Sequence, residues 1–490
     1  MPGYIPAALV FQTRELVRKA YSIDAAYLTT PVRPGSLAAC LAALLVLFTP
    51  VLMAAEAAAL MTLTRIADAV MIEGGALEPL NGRDITRLRV FAFHEGKPRA
   101  VPFQVDQRDS AGNWVWDLVF PRRRQLYDED MSRAAIPGGL RDPVRTHDDE
   151  DPPGKAELDV NDLLVFLARD MGDRHPRARE ALHTDAVLAI EAVDPIDGAR
   201  GWVYLAYFEQ DAPARSDVRY MRHVGAQRRV ISPVYEFRYS DRLVVRLDDL
   251  RIQGKPMLDR INLRGKVLAK LGLISQSIAF TEDDIYGYIE GIIDGPVRIV
   301  KRNIVHLELW GVIRTPDVTC EHFYYPDYAQ VPVCLPIRFP VTQASVFLLA
   351  ELHESPIART LIGTPDGTVS NPMNKGQETR LGHTLPLQWI ALDSALGSVI
   401  SIVELPPAIA DHATVRPCLC DQPPNSVDGD RSALSGPVAG FEVTSSVGCP
   451  RGPHTLHGIF LISTGAYREG DEVSAYNLSH AGLIVRVSRL

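Results

Sequence analysis

The sequence predicts an all-β fold, a large antiparallel β-sandwich or supersandwich with long loop insertions. Three observations predict it. Short runs rich in Val, Ile, Tyr and Phe, each closed by Gly, Pro, Asp or Asn, recur from residue 85 onward and read as strands joined by turns. Helical periodicity is sustained in only two places, residues 263–280 and 176–182. Helices therefore do not alternate with strands, which argues for an antiparallel sandwich or barrel and against a parallel α/β sheet.

In chain order, the first element is an N-terminal extension and signal peptide, residues 1–57. Residues 37–53 (LAACLAALLVLFTPVLM) carry no charge, follow Arg33, and are succeeded by Ala55-Glu56-Ala57, the small-x-small spacing a signal peptidase accepts. The rival reading is a retained membrane anchor, since the run, 17 residues long, reaches the lower end of the roughly 17 to 25 residues a spanning helix needs; Pro50 near its end favours cleavage. The expected location is periplasmic or extracellular, with membrane contact only if this segment is retained. Removing it takes away four cations and three anions and moves the net charge from −9 to −10. So acidic a body lacks the basic face that binding to nucleic acid or anionic lipid requires.

Residues 58–490 form the body. Of 490 residues, 46% are hydrophobic and 23% charged, the balance of a folded globular chain, which excludes wholesale disorder and a multi-span membrane protein. Strands are expected at 88–93, 163–168, 186–192, 202–208, 234–239, 243–247, 285–293, 297–300 and 304–313. Others fall at 344–352, 385–392, 398–405, 438–443 and 456–463. Two segments break the rhythm: a charged insertion at 121–161 and a Pro-, Asp- and Ser-rich loop at 406–437 that carries Cys418-x-Cys420. No clean linker or internal repeat divides the body, so one extended β unit is the economical reading and two packed β domains the alternative.

Three stretches stand out. VPFQVD at 101–106 is a strand that starts at a proline and ends in an acidic turn, LDVNDLLVFL at 158–167 is an acidic turn running into a buried strand, and DGPVR at 294–298 is a strand entry. Together they resemble poorly characterised secreted bacterial β-sandwich proteins of the galactose-mutarotase-like supersandwich type, some of which sit near sugar-active enzymes. The resemblance implies a β-sandwich, and none of the three stretches is a catalytic signature.

Candidate sites follow from chemistry. Between Cys320 and Cys334, the natural disulfide pair, lie His322, Phe323, Tyr324, Tyr325 and Tyr328; exposed rigid aromatics offer flat faces to sugar rings. With Arg298, His306 and Arg314 on nearby segments, they are expected to line a groove for an acidic polysaccharide, where Arg neutralises a carboxylate and His or Tyr moves a proton. Such a protein binds an extended carbohydrate and has room for lyase or hydrolase activity. The acidic residues Asp148, Asp149, Asp159 and Asp162 supply oxygens suited to calcium, although their spacing does not match an EF-hand. Cys449 is expected to pair with one of the Cys418-x-Cys420 cysteines, Cys420 being taken as the partner; His454 and His457 nearby leave a metal site as the alternative. The cysteine left over and the long insertion support the other class, a non-catalytic structural or assembly component of the cell envelope with protein partners. Haem attachment, Walker, nucleophile-elbow, dinucleotide and His-Glu-x-x-His motifs are absent from the sequence.

Overall fold

The computed structural model describes residues 59–119, 144–145, 157–240, 247–271, 274–309, 313–337, 340–353, 357–371, 377–420 and 437–490. Residues 59–490 form a compact unit, and the described fold belongs to it. It is all-β, and the described strands fall into four sheets whose pairings are antiparallel throughout.

Two small sheets hold the N-terminal part. One has three strands, Ala69–Glu73, Leu163–Leu167 and Phe103–Asp106, with Leu163–Leu167 in the middle. The other has five, ordered Lys97–Ala100, Leu88–His94, Arg200–Tyr207, Ala186–Val193 and Ile484–Arg489. They pack face to face: Val70, Leu164 and Phe166 of the first meet Val90, Ile190 and Leu205 of the second in one core. The opposite face of the five-stranded sheet presents Phe93, Trp202 and Tyr204 to the short helix Ala178–Leu182. That helix lies within one of the two segments expected to be helical.

A nine-stranded and a fourteen-stranded sheet make up the rest. Phe237, Leu250, Ile252 and Phe441 come from the former, and Ile292, Ile299, Val399 and Phe460 from the latter. All eight share a single core, so the two large sheets are the halves of a sandwich. Its longest pairing joins Lys255–Leu271 to Val341–Leu352.

That pairing corrects the helix expected at 263–280. The segment is instead the end of the seventeen-residue strand Lys255–Leu271 followed by Ile274–Phe280, its antiparallel partner. The physical reason is that Ile261, Leu263, Val267 and Ala269, which face the core, sit at odd positions. A spacing of four satisfies a two-residue period as well as a helical one.

The loop expected at 406–437 is also partly regular. It contains the helical turn Pro407–Ala410 and the strand Thr414–Cys420, an edge strand paired with Val438–Ser445. The bond proposed from Cys420 to Cys449 is ruled out by this register. Cys420 stands opposite Val438 at one end of the eight-residue strand Val438–Ser445, whereas Cys449 lies beyond the other end, bridged to Val341. An extended strand of that length separates its ends by roughly 23 Å, far more than the ~7 Å between Cα atoms that a disulfide tolerates. Cys449 is accordingly a free thiol. Cys320 is disulfide-bonded, and the side chain of Cys334 lies outside the described ones. The apolar segment at 37–53 and most of the insertion at 121–161 also lie outside the described residues, among which no helix is long and apolar enough to cross a membrane.

Candidate functional site

The three stretches that stand out in the sequence meet in space. Strand Phe103–Asp106 alternates, so Phe103 joins the N-terminal core while Gln104 and Asp106 face the other way. Leu163, Val165 and Leu167 of the neighbouring strand turn the same way and pack on Val297. Leu163–Leu167 is thus buried on both faces, and its second face is the seam between the small sheets and the large sandwich.

Arg298 crosses that seam. Its Nε donates to Asp106 Oδ2 at 2.8 Å, its Nη2 lies 2.6 Å from the same oxygen, and its Nη1 donates to the Tyr325 hydroxyl at 2.9 Å. Gln104 completes the arrangement, with its Oε1 accepting from the backbone N–H groups of Val297 (3.0 Å) and Arg298 (2.9 Å) and its Nε2 donating to Asp106 Oδ1. A side chain at Gly295 would put its Cβ 2.0 Å from Gln104 Oε1, which is why the turn reads Asp-Gly-Pro. Burial pulls the Arg298 guanidinium down, but Tyr325 and Asp106 outweigh it and hold the group above its ordinary value. The guanidinium is therefore charged.

Beside this network lies a cavity of about 260 Å³. Residues 101–107 form one wall, Ile293 to Pro296 a second, and Arg215, Ser216 and Val218 a third, with Ile85, Val115 and Asp117 between them. Asp117 Oδ2 accepts from the backbone N–H of Asp294 at 2.8 Å, and Asp294 Oδ1 accepts from Arg219 Nη2 (2.7 Å) and from the backbone of His223 (3.0 Å). Arg215 lies with its guanidinium 5.0 Å from the centre of the Phe103 ring and donates to the Ile85 carbonyl at 2.6 Å.

The aromatic loop takes a different place from the one expected of it. Tyr324 is 0% exposed, Tyr325 and His322 1%, Arg298 2%, and Tyr328 and His306 4%. The expected open groove is corrected: these side chains pack inward in three separate groups. Tyr325 stacks on Tyr328 at 4.3 Å and bonds Arg298. His322 Nδ1 lies 3.2 Å from the Tyr324 hydroxyl. His306 meets Asp317, which also pairs with the exposed Arg314 at 2.8 Å. Strand alternation is the cause, since Cys320, His322 and Tyr324 occupy every second position of Val318–Tyr324 and all face the sandwich interior.

Lys301 stands opposite His322 in the register and is 0% exposed. Its ammonium lies 4.2 Å from the Tyr239 ring centre, and Tyr239 in turn meets His223 Nε2 at 2.7 Å. Burial pushes Lys301 down to about 7 and His223 to about 4, and burial with the Lys301 charge pushes His322 well below the usual histidine value. Sequence reasoning missed this interior polar row, although Lys301 and Asn303 on one face of a strand were a visible signal.

Of the proposed calcium ligands, Asp148 and Asp149 lie outside the described residues. Asp159 and Asp162 are turn formers: Asp162 accepts from the backbones of Asp159 (2.9 Å) and Arg108 (3.1 Å), and Asp159 accepts from that of Asn161 (2.6 Å). Among the described residues no group of three or more His, Cys, Asp or Glu side chains is placed to hold a metal ion.

No family model matches the sequence, and no curated protein matches it. Among solved structures, the chain is similar to a glycosyl hydrolase family 38 protein from Enterococcus faecalis, with a TM-score of 0.41, 9% identity, and coverage of 88% of this chain and 47% of that one. It is also similar to an α-mannosidase from Enterococcus faecalis V583, at TM-score 0.40, 10% identity, and coverage of 88% and 46%. A lysyl oxidase from Pichia pastoris gives TM-score 0.26 and 9% identity over 57% of this chain and 58% of that one. The chain spans about half the length of the two Enterococcus chains. Similarity this low assigns neither a family nor an activity.

Proposed function

We propose that the chain is an exported β-sandwich protein that binds a carbohydrate in the cavity beside the Asp106–Arg298 pair. The cavity itself carries this reading. At about 260 Å³ it is sized for one or two sugar units, and its lining mixes apolar Pro102, Phe103 and Val218 with polar Gln107, Asp117, Arg215 and Ser216. A sugar ring presents C–H faces and hydroxyls that both donate and accept, and such a lining answers each of these. Rigidity supports it too: the wall at 101–107 is tied by Gln104 and Asp106 to a buried ion pair, so little ordering remains to be supplied on binding. Asp117 and Asp294 already accept backbone and guanidinium hydrogens, so binding, without an assigned reaction, is the activity proposed. Export rests on the uncharged segment at 37–53 and the Ala55-Glu56-Ala57 that follows.

Two experiments test the reading. Intact mass of the protein from its native host is expected to begin near Ala58, and a mass that retains residues 37–53 contradicts export as a cleaved protein. Calorimetric titration against a panel of oligosaccharides is expected to find a binder whose affinity is abolished by Ser216→Trp, which fills the cavity. Binding that survives this substitution places the sugar elsewhere.

A further inference from the structure

The carbohydrate reading leaves open which class of sugar the cavity takes, and the charges around it bear on that question. Three carboxylates are near. Asp106 is neutralised by Arg298 at 2.6 Å and Asp294 by Arg219 at 2.7 Å. Asp117 accepts from the backbone N–H of Asp294.

The cations are distributed differently. Arg215, on the cavity wall, makes no ion pair with a described carboxylate. Its contacts are with the Ile85 carbonyl and the Phe103 ring. Near it is Arg89, 9% exposed, whose Nε donates to the Pro213 carbonyl and whose Nη1 donates to those of Thr86 and Leu88. The charge of Arg215 adds to burial in pushing Arg89 down, so the two guanidinium groups feel each other. Asp84 acts on Arg215 electrostatically, opposing the effect of burial, and also accepts from Thr86 and meets Arg87 at 3.7 Å. The cavity wall therefore carries one guanidinium, that of Arg215, that no described carboxylate pairs directly, with Arg89 close enough to repel it. A guanidinium that is already oriented by a carbonyl and an aromatic ring is a ready partner for a carboxylate.

We propose that the cavity selects acidic sugars, with Arg215 binding the carboxylate of a uronate residue and the Ser216 hydroxyl exchanging hydrogen bonds with its hydroxyls. This rests on the carbohydrate reading above. A bound carboxylate forms charge-assisted hydrogen bonds with Arg215 and relieves its repulsion with Arg89, two gains that a neutral sugar does not bring.

The test uses the full exported chain and matched probes: uronate oligosaccharides (galacturonan, mannuronan and hyaluronan fragments) and the same oligosaccharides after chemical reduction of the carboxyl groups. At least one acidic member is expected to bind 10- to 100-fold more tightly than its reduced counterpart. Arg215→Gln is expected to erase that preference and Arg215→Lys to keep part of it, with unchanged melting temperatures showing that both variants fold. The preference is also expected to shrink as salt is raised. Equal binding of acidic and reduced probes overturns the acidic-sugar inference and leaves the carbohydrate reading standing. Preference for the reduced forms overturns the inference as well. If no probe of either kind binds, the carbohydrate reading itself falls.

Discussion

Arg298 brings a full charge into the interior because Asp106, Tyr325 and Gln104 are all in place around it. Removing one member of a buried pair leaves an uncompensated charge, a loss of about 3–5 kcal/mol. Asp106→Asn is therefore expected to lower the urea-unfolding free energy by about that much, and the double replacement Asp106→Leu with Arg298→Met to recover most of it. Lys301 is the opposite case. Its folded value of about 7 lies below the 10.5 of the free side chain, so folding favours the neutral amine. The stability present above pH 10.5 is lost as the pH falls through this window to about 7, an effect of about 5 kcal/mol. Lys301→Met removes that penalty, so it is expected to stabilise the protein strongly near pH 7 and much less near pH 10, as read from urea midpoints. At this scale the sequence was a poor guide to the site. The Tyr- and His-rich loop looked like a ligand surface by composition, yet the alternation of Cys320, His322 and Tyr324 already marked an inward face. Arg215 lies in a stretch with no pattern at all, and only the fold places it against Phe103.

Strands were the most legible elements, because alternation and turn residues are local properties. The expected strands at 186–192, 285–293 and 398–405 correspond to Ala186–Val193, Ile285–Asp294 and Gly397–Glu404. Errors arose where local pattern is ambiguous. Residues 263–280 satisfy helical and strand periods together, and Thr414–Cys420 hides in a proline-rich context. The helix Asp471–His480 was not expected, because its buried residues, Glu472 and Ala475, form no apolar stripe. The last strand, Ile484–Arg489, closes the five-stranded sheet by pairing with Ala186–Val193, and Val485 and Val487 pack on the N-terminal core. A chain ending at Gly482 leaves Ala186–Val193 as an open edge. It is expected to show faster proteolysis within the N-terminal sheets and concentration-dependent aggregation, whereas unchanged solubility and proteolysis would show that the strand is dispensable.

Across the whole molecule, residues 59–490 join two sandwiches through Leu163–Leu167, a strand buried on both faces, and the Asp106–Arg298 pair bridges the same seam. The cavity opens beside this junction, where sheet geometry from both parts holds its walls. VPFQVD, NDLLVF and DGPVR were each readable as strand entries or ends, but their convergence required long-range topology that no local pattern carries. The proposed ligand site is this junction. Hydrogen–deuterium exchange of the full chain, with and without the tightest-binding oligosaccharide, tests that claim most directly. Added protection is expected at 101–107, 215–218 and 293–296; protection confined to the 318–330 loop, or to none of these segments, would contradict a ligand site at the junction.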